Sequence, residues 1–307
     1  MNKILVLIDY ADHSDQLWLS TLRLARDLNA EIHATHIFHP DYLDIVKELA
    51  ILEGNDVDDQ YENFVWLHKK MEEERMQKFI DKATPAAFRD LGIHKRIVHG
   101  FPVMEVLKMQ EEETFDLIVI GLNREGNIES LLTDDIQAMV NHSLSPMLLV
   151  PDPAVPISTQ HLLLATCGQA DQLPAIDYLY PLIKKPGAKL WHYDLVCGNQ
   201  VALSPTILDR LQKNNTLQTA YRNDKLLMMS HPVKKPDLIQ EVENLAVVSD
   251  TDLLVIMPAN IFGDEKYSPM TSVNKLSCRL NTPILILKNE WVKKKMEDKL
   301  DKVPAKI

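Results

Sequence analysis

Residues 115–122 read FDLIVIGL, and residues 251–258 read TDLLVIMP. Each run has an aspartate in its second position, followed by a nearly unbroken series of apolar residues. A series of this kind is typical of a parallel strand that is covered on both faces of its sheet. Two such runs in one chain suggest that the same structural unit occurs twice.

The spacing of a second pair of runs supports that repetition. SPMLLVP (145–151) and TPILILK (282–288) follow the first pair, and each has a proline in its second position. The aspartate and the proline are 30 positions apart in the first half (146 − 116) and 31 in the second (283 − 252). Agreement in both residue type and spacing predicts an internal duplication.

The rest of the chain alternates between strand-like and helical patterns. In the first half, strands are predicted at 3–9, 31–38, 95–100, 115–121 and 145–151, and helices at 13–29, 41–53, 58–83, 102–113 and 133–143. In the second half, strands are predicted at 161–166, 188–196, 225–232, 251–258 and 282–288. This alternation predicts βα units and an α/β fold with parallel sheets.

A proline-rich stretch, PDPAVPIS (151–158), is predicted to be a short, stiff linker between the halves. We therefore expect a first domain at 1–152, a shorter and divergent second domain at 153–290, and a lysine-rich tail at 291–307. The first domain has extra helices at 41–83, whose counterpart is largely lost in the second. These helices are expected either to cover a crevice or to form a docking face.

Composition and charge exclude several classes of function. The 307-residue chain has a formal net charge of −11 at pH 7, which argues against a nucleic-acid binder. No apolar run approaches the roughly 18 residues of a membrane-spanning helix, so no membrane association is expected. Three cysteines without disulfide-like or metal-like spacing favour a reducing, cytoplasmic location. The start, MNKILVLID, is interpreted as a strand rather than a signal peptide.

The chain resembles a tandem universal stress protein, with two family domains in one chain. The resemblance rests on KILVLIDYADHS (3–14), RIVHGFPVMEVL (96–107), FDLIVIG (115–121) and SPMLLVP (145–151), and on their order and spacing. It implies two five-stranded parallel sheets of strand order 3-2-1-4-5, with helices on both faces. It also implies a non-catalytic stress-response or regulatory role. The two domains are expected to pair within the chain through their fifth strands, while a monomer and a homodimer both stay open and no particular protein partner is indicated.

The resemblance also implies a nucleotide-type pocket in the first domain. In a sheet of this order, the crevice opens at the carboxyl ends of strands 1 and 4. Members that bind ATP hold its phosphates on a loop of pattern G-x2-G-x9-G-[ST], where glycines let backbone N–H groups approach the phosphate oxygens. The residues assigned to this pocket are Asp9, Ile37, Gly121, Asn123, Gly126 and Thr133.

The phosphate loop departs from the family pattern. Gly126 follows Gly121 after four residues instead of two, and Thr133-Asp134 replaces the closing Gly-Ser/Thr. We expect Asp134 to cap the following helix, where its carboxylate would repel a triphosphate. A degraded nucleotide pocket is the main expectation, and a switch that binds ATP or an adenosine-type ligand is the alternative. The second domain departs further, because Cys167 replaces the strand 1 aspartate.

No catalytic or metal site is expected from the sequence. Ser, His and Asp, or Cys and His, do not occur at a spacing typical of a catalytic group, so an enzyme is not expected. His33 and His36 are three positions apart on a predicted strand and therefore point to opposite faces. These two histidines cannot bind one metal ion together.

Overall fold

The structure is a computed structural model of the chain. It describes residues 1–38, 57–122, 134–151, 156–166, 173–197, 220, 222–233, 238–257 and 269–288. The helix predicted at 41–53 and the tail predicted at 291–307 lie outside these residues.

In the first half, strands alternate with helices in the predicted order. The elements are β1 (Lys3–Leu7), α1 (Ser14–Leu28), β2 (Glu31–Phe38), α2 (Val57–Ala83), β3 (Ile93–His99), α3 (Pro102–Glu112), β4 (Leu117–Gly121), α4 (Asp134–His142) and β5 (Met147–Val150). The prediction for β2 is confirmed to the residue. The first strand is confirmed as well, since β1 begins at Lys3.

The second half has the same alternation of elements. They are β6 (His161–Thr166), α5 (Leu173–Ile183), β7 (Lys189–Cys197), β8 (Leu226–Val233), α6 (Leu238–Val248), β9 (Leu253–Ile256), α7 (Pro269–Arg279) and β10 (Ile284–Ile286). Each of the five strands predicted for this half is confirmed: β6 agrees to the residue, and the bounds of the other four shift by one to two residues.

The ten strands that the structure describes form one sheet, in the order β3-β2-β1-β4-β5-β10-β9-β6-β7-β8. Read inward from its outer strand to the middle of the sheet, each half has the order 3-2-1-4-5 that was expected. Neighbouring strands within each half are parallel. The fold is therefore α/β with a mainly parallel sheet, and its two halves repeat the same strand order.

The two halves meet through their fifth strands, as predicted. β5 and β10 pair antiparallel, with Leu148 opposite Leu285 at the centre of the three paired positions. The pairing is symmetric about these two leucines, which places a pseudo-twofold axis between them. Every residue of both strands is buried. Each fifth strand therefore covers the apolar edge that the other would expose.

The aspartates of the two opening sequence runs have one structural role in both halves. Asp116 Oδ2 accepts a hydrogen bond from the Asn2 N–H at 2.6 Å. Asp252 Oδ2 accepts one from the His161 N–H at 2.9 Å. Each carboxylate thus fixes the start of its half's first strand beside the fourth, which explains why the same aspartate occurs in both runs.

The prolines that were used to count the spacing are equivalent as well. The Ile118 N–H donates to the Pro146 carbonyl at 2.9 Å, and the Leu254 N–H donates to the Pro283 carbonyl at 3.0 Å. Both bonds align the fourth strand of a half with its fifth. The repeat seen in the sequence is therefore a repeat of individual hydrogen bonds.

Apolar layers on both faces of the sheet extend across the junction. One layer includes Trp18 of α1, Met76 of α2 and Ile176 of α5, and the other includes Val106 of α3 and Val242 of α6. Because each layer draws residues from both halves, the halves share their cores. Among the described residues, no helix is long and apolar enough to cross a membrane.

Candidate functional site

The carboxyl ends of the first-half strands bring part of the predicted pocket together. Gly121 is the last residue of β4, Ile37 is the penultimate residue of β2, and Asp9 follows β1 by two positions. Because β2, β1 and β4 are adjacent and parallel, these three residues lie along one edge of the sheet. Asn123, Gly126 and Thr133 lie outside the described residues.

The Asp9 carboxylate stabilises the turn between β1 and α1. Its Oδ1 accepts hydrogen bonds from the Ala11 N–H at 3.1 Å and from the Ser14 hydroxyl at 2.8 Å. Ser14 is the first residue of α1, so the carboxylate joins the strand end to the helix start. Asp9 itself is exposed to solvent. One of the two Asp9 carboxylate oxygens is therefore already hydrogen-bonded within the turn at the edge of the crevice.

The helix that follows the predicted phosphate loop has an acidic first turn. α4 begins at Asp134, with Asp135 next, and both residues are exposed. The expectation that Asp134 caps this helix is therefore corrected: Asp134 is the first residue of the helix and does not precede it. The carboxylates of Asp134 and Asp135 still complement the positive end of the helix dipole, because both residues lie in the first turn.

His36 and Tyr10 form a second set of polar groups beside this edge. The His36 Nδ1 lies 2.6 Å from the Ile8 carbonyl oxygen, and the ring centroids of Tyr10 and His36 are 4.6 Å apart. Tyr10 has a φ of 58°, a left-handed conformation that costs a non-glycine residue about 1–2 kcal/mol. Its ring contacts with His36 and Phe79 hold it there.

Helix α2 contributes the charges of this second set. Glu72 Oε2 lies 3.6 Å from His36 Nε2, and the Arg75 guanidinium carbon lies 4.1 Å from the centre of the Tyr10 ring. Burial is the main cause that raises the pKa of Tyr10, and Glu72 adds to the rise while Arg75 opposes it. The phenol therefore stays protonated. Its hydroxyl oxygen is buried and has no hydrogen-bond partner among the described residues.

These α2 residues were missed because the helical pattern places Met71, and not Glu72, on the inner face. In that pattern Tyr61, Val65, His68, Met71 and Phe79 lie near one face of the helix. In the structure Met71 is 56% exposed, while Met76 and Ile80 are buried and Glu72 is half-buried. The helical spacing of residues 61, 65, 68, 72 and 76 predicts the inner face that the structure shows. It places a carboxylate on an otherwise inward face, which is unusual unless a partner such as His36 is present.

Helix α2 was expected to be an extra helix, but it contributes side chains to the core of the first half. It is part of the connection from β2 to β3, and Met76 and Ile80 belong to the core. The inner face of α2 lies over Tyr10 and His36, while Phe64 and Trp66 on its outer side are exposed.

The corresponding position in the second half holds a buried polar cluster. The Thr166 Oγ1 lies 2.9 Å from His192 Nε2 and 3.5 Å from Asp194 Oδ1. All three residues are at most 3% exposed. Burial lowers the pKa of His192 to about 4, so the imidazole is neutral at pH 7. Cys167, the next residue along the chain, lies outside the described residues.

The fold and the first-half edge define a class of protein. Parallel strands in the order 3-2-1-4-5, with the polar side chains of Asp9 and His36 at the carboxyl ends of strands 1 and 2, are typical of α/β proteins that bind ligands at this edge of the sheet. Residues 1–151 match the model of the Universal stress protein family. The first half of the chain is thus a universal stress protein domain.

Comparisons with individual proteins agree with this class. A universal stress protein of Methanocaldococcus jannaschii is 22% identical over 152 residues, which cover 49% of this chain and 82% of the relative. The crystal structure of a universal stress protein from Archaeoglobus fulgidus matches 94% of this chain and 96% of its own, with a TM-score of 0.60 and 14% identity. A functionally unknown protein from Pseudomonas aeruginosa matches 98% of both chains, with a TM-score of 0.55 and 16% identity. The two structural matches establish likeness of fold over nearly the whole chain.

Proposed function

We propose that the chain is a tandem universal stress protein, with domains at 1–152 and 153–290, that acts as a non-catalytic regulatory protein in a stress response. The repeated aspartate and proline hydrogen bonds and the repeated strand order support a second family domain. The antiparallel pairing of β5 with β10 supports an internal pair of domains in place of a dimer of single domains.

The acidic first turn of α4 is the observation that carries the functional part of the proposal. α4 follows the loop where phosphates would lie, and its N-terminus is the anion-attracting end of the helix. Asp134 and Asp135 already occupy this positive end. A triphosphate would have to lie beside two carboxylates, so the first pocket is a degraded nucleotide pocket that does not hold ATP firmly.

Calorimetry with Mg²⁺ and ATP tests this proposal. We expect no tight binding to the unmodified chain. The double variant Thr133→Gly/Asp134→Ser rebuilds the closing motif of the family loop and is expected to raise the affinity for ATP. The matched control is Asp250→Ser, which removes one carboxylate from an exposed turn of the second half. Tight, Mg²⁺-dependent binding of ATP to the unmodified chain would overturn the degraded-pocket proposal.

A switch that binds an adenosine-type ligand is the second candidate function. The position of Asp9, Ile37 and Gly121 along one edge favours it, since an uncharged ligand does not meet the repulsion of Asp134. Titration with adenosine, AMP and ATP, each on the unmodified chain and on Asp9→Ala, distinguishes the two candidates. Binding of adenosine that is lost in Asp9→Ala would support the switch, and no binding of any of the three would support the non-catalytic protein without a ligand.

A further inference from the structure

A cluster of imidazole and carboxylate groups lies at the amino ends of the first-half strands, opposite to the carboxyl ends where the crevice opens. It consists of Glu31, His33 and His94, at the amino ends of β2 and β3. Each residue offers one oxygen or nitrogen atom, and these three atoms lie within 4.8 Å of one another. The cluster shares no residue with the nucleotide-type pocket and does not depend on the function proposed for it.

The geometry of the parallel strands brings these three side chains together. Glu31 and His33 are two positions apart on β2, so they point to the same face of the sheet. His33 and His94 are paired in register across β2 and β3, and their ring centroids are 4.8 Å apart with 30° between the ring planes. The Nε2 of His94 lies 3.7 Å from Glu31 Oε2. The side chains therefore project from strand backbone, which positions ligands more rigidly than a loop does.

His33 has the surroundings of a metal-binding histidine. Its Nδ1 lies 3.7 Å from Glu113 Oε2, and Glu113 is itself paired with Lys3. The ring of Phe115 packs edge-on against the His33 imidazole at 5.2 Å. The other nitrogen, Nε2, is buried and has no hydrogen-bond partner in the part of the chain that the structure describes. A carboxylate beside one nitrogen and an unsatisfied second nitrogen are what a ligating imidazole requires.

We propose that Glu31, His33 and His94 bind one divalent transition-metal ion. Two imidazole nitrogens and one carboxylate oxygen suit Zn²⁺, Co²⁺ or Ni²⁺, whereas Mg²⁺ and Ca²⁺ prefer ligand sets made of oxygen. Water completes the coordination, since the protein supplies three ligands. The ion joins β2 to β3, which is an edge strand of the ten-stranded sheet.

This site could not be predicted from the spacing of His33 and His36. His33 and His36 do lie on opposite faces: His33 contacts Phe115, whereas His36 contacts Tyr10. The partner of His33 is His94, which is 61 positions away (94 − 33) and is placed beside it only by the register of β2 with β3.

Titration of the tag-free, chelator-treated full chain with Co²⁺ tests the proposal. We expect one ion per chain, with the visible absorption of a low-coordinate Co²⁺ site, and displacement of that ion by Zn²⁺. His94→Ala should abolish this binding, and because the His94 side chain is 56% exposed the variant should still fold. His142→Ala, which removes an exposed histidine from α4, is the matched control and should bind as the unmodified chain does.

Two further variants test the roles of the carboxylates. Glu31→Gln replaces a ligand with a weaker one and should reduce the affinity for Co²⁺. Glu113→Gln removes the carboxylate beside His33 and should weaken binding by about 10- to 100-fold. The proposal is overturned if the unmodified chain binds neither Co²⁺ nor Zn²⁺, or if His94→Ala binds with unchanged stoichiometry and affinity.

Discussion

The carboxyl ends of the first two strands are built differently in the two halves of the molecule. Alignment of Lys3 with His161 makes His36 and Asp194 equivalent positions, since each follows its alignment point by 33 residues (36 − 3 and 194 − 161). Around His36 the polar groups are partly buried, and α2 supplies Glu72 and Arg75 to them. Around Asp194 the polar groups are buried, and β6 and β7 supply the contacts of Thr166 with His192 and Asp194.

The comparison separates the features that occur in both halves from the features that differ between them. The aspartate and proline hydrogen bonds that align the strands occur in both halves. The side chains at the strand ends differ between the halves: His36 contacts the Ile8 carbonyl in the first, whereas Thr166 contacts His192 in the second. A strand end can therefore become an exposed polar edge in one half and part of a packed core in the other.

The largest expected effect comes from removing the buried imidazole. His192→Ala leaves a cavity and removes the 2.9 Å hydrogen-bond partner of the buried Thr166 hydroxyl, and should lower the free energy of unfolding by about 3–4 kcal/mol at pH 7. The polar groups around His36 are only partly buried, and Arg75 among them is largely exposed, so His36→Ala should cost only about 1 kcal/mol. Urea unfolding of both variants measures the difference. Equal losses would show that His36 and His192 contribute equally to the free energy of unfolding, which would contradict the difference between the two halves.

The free energy of unfolding should depend on pH because the same imidazole titrates at different pH values in the folded and unfolded chain. The pKa of His192 is about 4 in the folded chain and has its ordinary value of 6.5 in the unfolded chain. Between these pH values the unfolded state binds more protons, so stability falls as the pH falls. The total loss is about 3–4 kcal/mol, because the two pKa values differ by about 2.5 and each pKa unit corresponds to about 1.4 kcal/mol.

Unfolding curves at pH 7, 5.5 and 4 measure this loss. His192→Asn removes the titrating group, and the unmodified chain should lose about 3 kcal/mol more stability over this range than the variant does. Subtraction cancels the carboxylates that titrate in the same range. Parallel pH profiles for the two proteins would show that His192 is not held neutral by burial.

A smaller effect is expected at the turn after β1. Asp9→Ala removes the acceptor of the Ala11 N–H and of the Ser14 hydroxyl, and should cost about 1 kcal/mol. Asp12→Ala removes an exposed carboxylate from the same turn and serves as the control, with little or no expected change. Thermal unfolding compares the two. If they shift the midpoint equally, the Asp9 carboxylate contributes through its charge and not through its hydrogen bonds.

The smallest effect is expected from the guanidinium above Tyr10. Arg75 is largely exposed, so Arg75→Gln should cost about 0.5 kcal/mol. Lys78→Gln removes a positive charge from an exposed position on the same helix and should be neutral. A cost for Arg75→Gln that exceeds the cost of Asp9→Ala would make the Tyr10 contacts, and not the turn, the main support of this edge.

The sequence predicted those parts of the molecule that depend on local pattern and on repetition. The strands follow from apolar runs that occur in both halves. Their order follows from the resemblance to the family, and the pairing of β5 with β10 follows from two apolar edges that need covering. Glu72 could not be predicted in this way, because its inward position depends on His36, which belongs to another element. His94 is a similar case, since its closeness to His33 depends on the register of two strands.

The buried cluster of the second half was missed for a related reason. Thr166, His192 and Asp194 each fit an ordinary strand pattern, and only their burial together makes them distinctive. The pocket residues at strand ends, Asp9, Ile37 and Gly121, were placed by strand order alone. Their assignment as ligand contacts stays a prediction, as does the role of the loop residues Asn123, Gly126 and Thr133.

The β5–β10 pairing has a consequence during synthesis of the chain. The first half completes β5 at Val150, but Ile284, where β10 begins, is made 134 residues later (284 − 150). At roughly 5–20 residues per second, the edge of β5 stays without its partner for about 7–27 seconds on the ribosome. Neighbouring ribosomes on one message carry identical β5 edges during that interval. The second half therefore supplies the partner strand of β5 within the same chain, but only after this delay. Slower translation between residues 150 and 284 should increase pairing between nascent chains.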